Sequence, residues 1–249
     1  MKIVGVIPAR FGASRFPGKP LFEIAGKPLL QWVIEGARQS RRLQEVLVAT
    51  DDARIAGLAR RCGVEAVMTD SDLPSGTDRI WAAVKSRDVD VVVNVQGDEP
   101  LITGEVVDRL ADVFLRPWNS VEMATLGHAI STEELGSFNA VKVVVNRQGE
   151  ALYFSRFPIP YSRHDAESLG SLAGCLKHIG LYAYTKNFLE KFCEAPPALI
   201  EKAESLEQLR ALDLGARIHV VKVEHSLRGV DTPEDAAALE PILRRIHGS

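Results

Sequence analysis

Between Ile7 and Pro20 one loop gathers three cations, Arg10, Arg15 and Lys19, with two glycines, Gly12 and Gly18. Arginine forks and lysine point charges both suit phosphate oxygens. Glycine lets main-chain N–H groups come close to a ligand. With Pro8 and Ala9 leading in from an apolar run, the loop reads as a polyphosphate site. It is neither of the common phosphate motifs, because Gly-x-x-x-x-Gly-Lys-Ser/Thr is absent and no Gly-x-Gly-x-x-Gly follows the first apolar run. By residue type alone it also fits a solvated basic turn.

Two acidic segments and a polar turn offer complementary groups. Ser75-Gly76-Thr77-Asp78-Arg79 enters a helix, and Ser75 or Thr77 suits its N-cap. Gln96-Gly97-Asp98-Glu99 comes after the apolar run Val89–Val95; Asp98 can give Mg²⁺ a hard oxygen, or the acids can simply cap the next helix. Asp231-Thr232-Pro233-Glu234-Asp235 places carboxylates at a helix start, where they complement the dipole as readily as a metal. Elsewhere Arg156 supplies a cation suited to a carboxylate. In His178-Ile179-Gly180-Leu181-Tyr182, strand alternation puts His178, Gly180 and Tyr182 on one face, as packing or as ligand contacts. Glu207 and Gln208 are neighbours on an expected helix, about 100° apart.

These groups need a scaffold, and apolar periodicity supplies one. Ile3–Ile7, Val46–Ala49, Val64–Met68 and Val89–Val95 read as strands, with helices at Lys27–Ser40, Ala53–Cys62 and Thr77–Arg87 between them. That rhythm predicts an α/β fold with a doubly wound parallel sheet. In such folds ligands bind at the carboxyl ends of the strands. From Val121 the rhythm changes. Strands are expected at Met123–Ile130, Val141–Val145, Ala151–Phe154 and His178–Tyr184, then helices at Lys186–Cys193 and Glu204–Leu214. A strand at Ile218–Val223 and a closing helix after Thr232 end the pattern. Residues 1–249 are therefore expected as one domain, with about 121–185 forming an antiparallel lobe that offers a dimer surface, and Gly170–Gly174 as a mobile loop.

Bulk composition removes several classes. The 249 residues carry a net charge of −3 and are 46% hydrophobic, so no global field attracts nucleic acid. No apolar run approaches the roughly 18 residues that span a bilayer. Three scattered cysteines and the start Met1-Lys2 suit free thiols, no signal peptide and a cytoplasmic location.

The runs Ile7-Pro8-Ala9-Arg10, Ser14-Arg15 and Pro17-Gly18-Lys19-Pro20-Leu21, with Val95-Gln96-Gly97-Asp98-Glu99-Pro100 and Val230-Asp231-Thr232-Pro233-Glu234-Asp235, resemble the cytidylyltransferases that activate acidic sugars. The resemblance spans essentially the whole chain and is strongest to the branch acting on 3-deoxy-manno-octulosonate (Kdo). Segments 161–176 and 195–203 are least similar. It implies a Rossmann-like doubly wound mixed sheet of the nucleotide-diphospho-sugar transferase type, with an antiparallel inserted lobe. It further implies CMP transfer from CTP to Kdo for lipopolysaccharide synthesis, Mg²⁺ as cofactor and a homodimer. CTP contacts would be Pro8, Ala9, Arg10, Arg15, Lys19, Ser75, Gly76, Arg79 and Gly97. Asp98 and Asp231 would hold the metal. Gln96, Arg156, His178, Tyr182, Glu207 and Gln208 would hold the acceptor. Catalysis would rest on Arg10, Arg15, Lys19, Asp98 and Asp231. Rival readings are activation of an 8-amino Kdo or sialate-type acid, a sugar-1-phosphate nucleotidyltransferase (whose long glycine-rich first loop is missing), and a non-catalytic nucleotide-binding module.

Overall fold

The computed structural model describes residues 1–12, 16–116, 120–161, 174–224 and 227–247. The chain divides into two compact units, one of residues 1–111 with 227–249, the other of residues 112–226.

In the first unit, β1 (Ile3–Ala9), β4 (Glu45–Thr50), β5 (Glu65–Met68) and β6 (Val91–Asn94) form a parallel sheet in the order β6-β1-β4-β5. Val91, Val92 and Val93 are buried, as a parallel strand covered on both faces requires. Helices α1 (Leu29–Ala37), α2 (Ala53–Arg61), α3 (Gly76–Val84) and α4 (Gly104–Ala111) belong to this unit, together with the ribbon of β2 (Glu23–Ile24) and β3 (Lys27–Pro28). From β1 the chain moves to β4 and β5 on one side and returns to β6 on the other. The carboxyl ends of β1 and β6 thus flank the switch point where such sheets open a crevice.

α1 starts later than the expected Lys27. Pro28 disfavours helical backbone in the residue before it, so Lys27 stays extended and pairs with Ile24. Asp52 caps α2 by accepting from the N–H groups of Arg54 and Ile55. α4 has no counterpart among the expected elements. The last helix, α9 (Pro233–His247), buries Ala236, Leu239 and Leu243 against Phe16, Ile24, Leu29 and Trp32. Each buried leucine stabilises this docking by about 1.5–3 kcal/mol. That docking returns residues 230–235 to the sheet end from which the chain departed.

The second unit is built on β7 (Met123–Ala129), β8 (Lys142–Val145), β9 (Ala151–Ser155), β10 (Cys175–Thr185) and β11 (Ile218–Val223). β10 pairs antiparallel with β7 and β8, and β8 with β9, giving the antiparallel lobe; β11 joins β7 in parallel. Between Ile179 and Tyr182 the β10 register shifts in a bulge, so plain alternation does not hold through this stretch. The helices are α5 (Thr132–Gly136), α6 (Lys186–Glu194), α7 (Leu199–Glu204) and α8 (Gln208–Asp213). The expected helix Glu204–Leu214 begins only at Gln208, and Glu204 instead ends α7. Ser205 turns left-handed at φ 53° and the buried Leu206 donates back to Glu201 O at 3.1 Å, closing α7 before α8 begins. The expected loop Gly170–Gly174 lies outside the described residues except for Gly174. Cys62, Cys175 and Cys193 are not disulfide-bonded, and no described helix is long and apolar enough to cross a membrane.

Candidate functional site

The carboxyl ends of β1 and β6 bound a cavity of about 280 Å³ in the first unit. From the first loop, Pro8, Ala9, Arg10 and Lys19 line it; Arg15 lies outside the described residues. From the turn before α3 come Ser75, Gly76 and Arg79, and from the loop after β6 come Gln96, Gly97 and Asp98. Asp231 completes the wall from the far end of the chain. Phe16, Pro20 and Leu73 also line the cavity, and sequence reasoning gave them no role.

Local chemistry explains this convergence. Gly18 adopts φ +74° and donates to Phe11 O at 2.9 Å, turning the first loop so that Lys19 can reach inward. A Cβ on Gly97 would stand 2.9 Å from Pro8 O, so only glycine lets the two loops pack backbone to backbone. Val230 donates its N–H to Asp98 O at 2.9 Å, and Lys19 Nζ donates to Val230 O at 2.8 Å. Lys19 Nζ lies 2.7 Å from Asp98 Oδ2 and 3.5 Å from Asp231 Oδ1. Two carboxylates far apart in the chain therefore face one cationic point. Two hard oxygen donors with room for substrate oxygens and water fit Mg²⁺, which keeps much of its shell outside the protein. Among the described residues no three acid, histidine or cysteine side chains form a closed metal cage.

Ser75 caps α3, accepting from Asp78 N–H at 3.1 Å, and also lines the cavity; capping and ligand contact are compatible here. Arg79 is 3% exposed, held by Asp51 Oδ2 at 3.3 Å and by Thr69 Oγ1. Its fork is thus fixed before any ligand arrives. Sequence reasoning passed over Asp51 and Thr69, whose link to Arg79 exists only in three dimensions. It also gave Glu99 no role. Burial, then the charges of Asp98 and Asp231, push the Glu99 pKa up to about 8 against the opposing pull of Lys19. Glu99 therefore carries its proton at neutral pH, and its buried Oε2 has no hydrogen-bond partner among the described residues. The adjacent acids Asp98 and Glu99 were the available sequence signal.

The acceptor candidates of the second unit form a different kind of group. The His178 ring lies 5.0 Å from Phe154 and 5.5 Å from Tyr182, centroid to centroid. The bulge spans two extra residues, so His178 and Tyr182 stay together while Gly180 is exposed. Burial lowers the His178 pKa and favours the neutral ring. Burial, then the charge of Glu207, raises that of Tyr182. The Tyr182 hydroxyl donates to Gln208 Oε1 at 3.2 Å; Gln208 is 3% exposed, and its Nε2 has no partner among the described residues. Glu207 precedes α8 rather than sharing it with Gln208, and is half-buried. The Arg156 guanidinium meets main-chain carbonyls. Its Nε and Nη2 donate to Glu204 O and Ser205 O at 2.9 and 3.4 Å, and Nη1 to Phe138 O at 3.3 Å, where they cap α7. Thr125, which touches His178, went unnoticed because an isolated strand threonine carries no motif.

A basic loop facing two carboxylates at the switch point of a parallel sheet has the chemistry suited to a polyphosphate. The profile of the cytidylyltransferase family matches residues 4–218. A 3-deoxy-manno-octulosonate cytidylyltransferase of Bdellovibrio bacteriovorus is 65% identical over 98% of this chain and 98% of its own length. One from Acidobacterium capsulatum is 46% identical, covering 98% and 97%. A solved CMP:2-keto-3-deoxy-manno-octonic acid synthetase complexed with CTP superposes with a TM-score of 0.92 at 43% identity, over 99% of this chain and 100% of that one. A cytidylyltransferase from Leptospira borgpetersenii, 20% identical with a TM-score of 0.64 over 96% and 85% of the two chains, shares the fold. The chain belongs to the cytidylyltransferase family and is a nucleotidyltransferase.

Proposed function

We propose that this enzyme transfers CMP from CTP to Kdo, releasing pyrophosphate and forming CMP-Kdo for lipopolysaccharide synthesis in the cytoplasm, and that it acts as a homodimer. The observation that carries the reading is the meeting of Lys19, Asp98 and Asp231, three sequence-distant groups, on one wall of the nucleotide-sized cavity. Family kinship with proteins named for this reaction supports the choice of CTP and Kdo.

In this reading the anomeric hydroxyl of Kdo attacks the α-phosphorus of CTP. Such a transfer needs positioning and charge neutralisation more than covalent catalysis. Arg10 and Lys19, with Arg15, would hold the triphosphate and draw off the charge that gathers on departing pyrophosphate. Arg79, held by Asp51 and Thr69, would contact the nucleotide with little reorganisation. Asp98 and Asp231 would hold Mg²⁺, which when bound supplies charge neutralisation and Lewis-acid polarisation at phosphate oxygens. Gln96, Arg156, His178, Tyr182, Glu207 and Gln208 keep the acceptor-binding role that the family resemblance implies. Segments 161–176 and 195–203, least like the family, keep the acids of 8-amino Kdo and sialate type as the second reading.

Pyrophosphate release with Mg²⁺ and CTP tests this against Kdo, an 8-amino Kdo and N-acetylneuraminate in parallel. Release with Kdo alone is expected. Release with another acid only would move the acceptor assignment, and CTP binding without release from any of the three would favour a non-catalytic binder.

A further inference from the structure

The β10 bulge places three groups around one hydroxyl. Thr125 Oγ1, fully buried, lies 2.8 Å from Leu181 O, 3.1 Å from Ile179 O and 2.9 Å from His178 Nε2. A threonine hydroxyl has one proton to give and lone pairs to accept with, whereas a carbonyl oxygen only accepts. The proton therefore belongs to a carbonyl, of which Leu181 O is the nearer. The contact with the imidazole is then a hydrogen bond only if Nε2 carries the proton and donates to Oγ1. The opposite tautomer would draw the hydroxyl proton to Nε2. Both carbonyls would then face a buried oxygen at 2.8–3.1 Å with no hydrogen between them. An unsatisfied buried acceptor costs about 1–3 kcal/mol.

We propose that Thr125 is a positioning residue that fixes His178 as the Nε2–H tautomer, leaving Nδ1 as a neutral acceptor for a hydroxyl of the acceptor sugar. A bare, uncharged Nδ1 takes a hydrogen bond from O–H and repels a carboxylate oxygen, which brings only lone pairs. His178 thus reads the polyol part of an acidic sugar and leaves its carboxylate to a cation. The Gln208 amide, whose Oε1 accepts from the Tyr182 hydroxyl, carries a further neutral donor, Nε2, unpartnered among the described residues. The sugar contact rests on the acceptor reading above; the tautomer does not.

The test is nitrogen NMR of the full-length enzyme labelled with ¹⁵N-histidine, the His178 ring being assigned by its loss in His178→Gln. At pH 7 the wild-type ring should show one protonated nitrogen, Nε2, and one bare nitrogen, Nδ1, whose signal moves when Kdo is added. A proton on Nδ1, on both nitrogens or exchanging between them overturns the tautomer, and an unmoved Nδ1 signal with Kdo bound overturns the hydroxyl contact. In Thr125→Val the KM for Kdo should rise about tenfold, the equivalent of one good hydrogen bond, with the KM for CTP unchanged and Thr125→Ser restoring the wild-type value. An unchanged KM for Kdo in Thr125→Val would also overturn the proposal. The wild-type spectrum decides even if that variant fails to fold. It needs no turnover, so failure of the CMP-transfer reading shows separately, as absent pyrophosphate release.

Discussion

In the first unit the recognition groups that stand around a cavity are a lysine and two aspartates: Lys19, Asp98 and Asp231 keep 15%, 31% and 53% of their side-chain surface exposed. In the second unit Thr125, His178, Tyr182 and Gln208 lie among aromatic rings and are neutral. The difference follows from the cost of burying charge. An ion can be kept at a wet rim, where solvent shares its field, but a buried one must be paired or neutralised. The second unit does own a buried ion pair, Glu201 with Arg210 at 2.6 Å, yet it serves the scaffold. Arg210 stacks 4.6 Å over Phe192 and Glu201 receives Ala198 N–H at 2.9 Å. Charge thus sits at the ligand wall in one unit and inside the framework in the other.

This contrast can be broken most sharply at Asp98. Asp98→Asn keeps the shape and removes one metal-facing charge, so turnover should fall about a thousandfold, or about 4 kcal/mol of transition-state stabilisation. CTP affinity by calorimetry should stay largely intact; persistent pyrophosphate release would end the metal assignment. The next effect should be structural. Glu201→Gln leaves Arg210 buried without its counter-charge and should cost about 3 kcal/mol in denaturant unfolding at neutral pH. Burial tends to raise the Glu201 pKa, but hydrogen bonds from Arg210 and Ala198 more than offset it, so its pKa in the folded state is lowered. The unfolded chain therefore binds a proton more readily than the fold does. Wild-type stability from this pair is fully present above the ordinary carboxylate pKa of about 4.5 and is lost as pH falls through the lower folded value, a slope that Glu201→Gln should flatten.

Gly97→Ala forces a methyl to within 2.9 Å of Pro8 O, and should cost about 2 kcal/mol while weakening CTP binding and sparing the second unit's amide protection from exchange. Wild-type CTP affinity in that variant would show that the close approach of the two loops is dispensable. The smallest effect belongs to the neutral cluster. Tyr182→Phe removes the donor to Gln208 Oε1 and should cost about 1 kcal/mol of stability, with a few-fold higher KM for Kdo and an unchanged KM for CTP. A matching rise in both KM values would erase the division of labour between the units.

The sequence alone determined the strands, most helices and the chemistry of the first unit's loops. Apolar runs must be buried, and Asp52, Pro233 and Gly63 punctuate helices by local rules that need no distant partner. The order of cations, glycines and acids in the loops likewise marked residues that the fold gathers around one cavity, since those residue types act through charge and backbone exposure. Tertiary structure decided the rest. It joined Asp231 to Asp98 through the docking of α9, fixed Arg79 on Asp51 and Thr69, and raised the Glu99 pKa by burying it beside two acids. It also turned Arg156 onto the carbonyls of Glu204 and Ser205, delayed the expected helix to Gln208, and set Thr125 beside His178 through a bulge. Each of these depends on a contact or a dielectric environment between residues far apart in the chain, and hydrophobic periodicity carries no record of either.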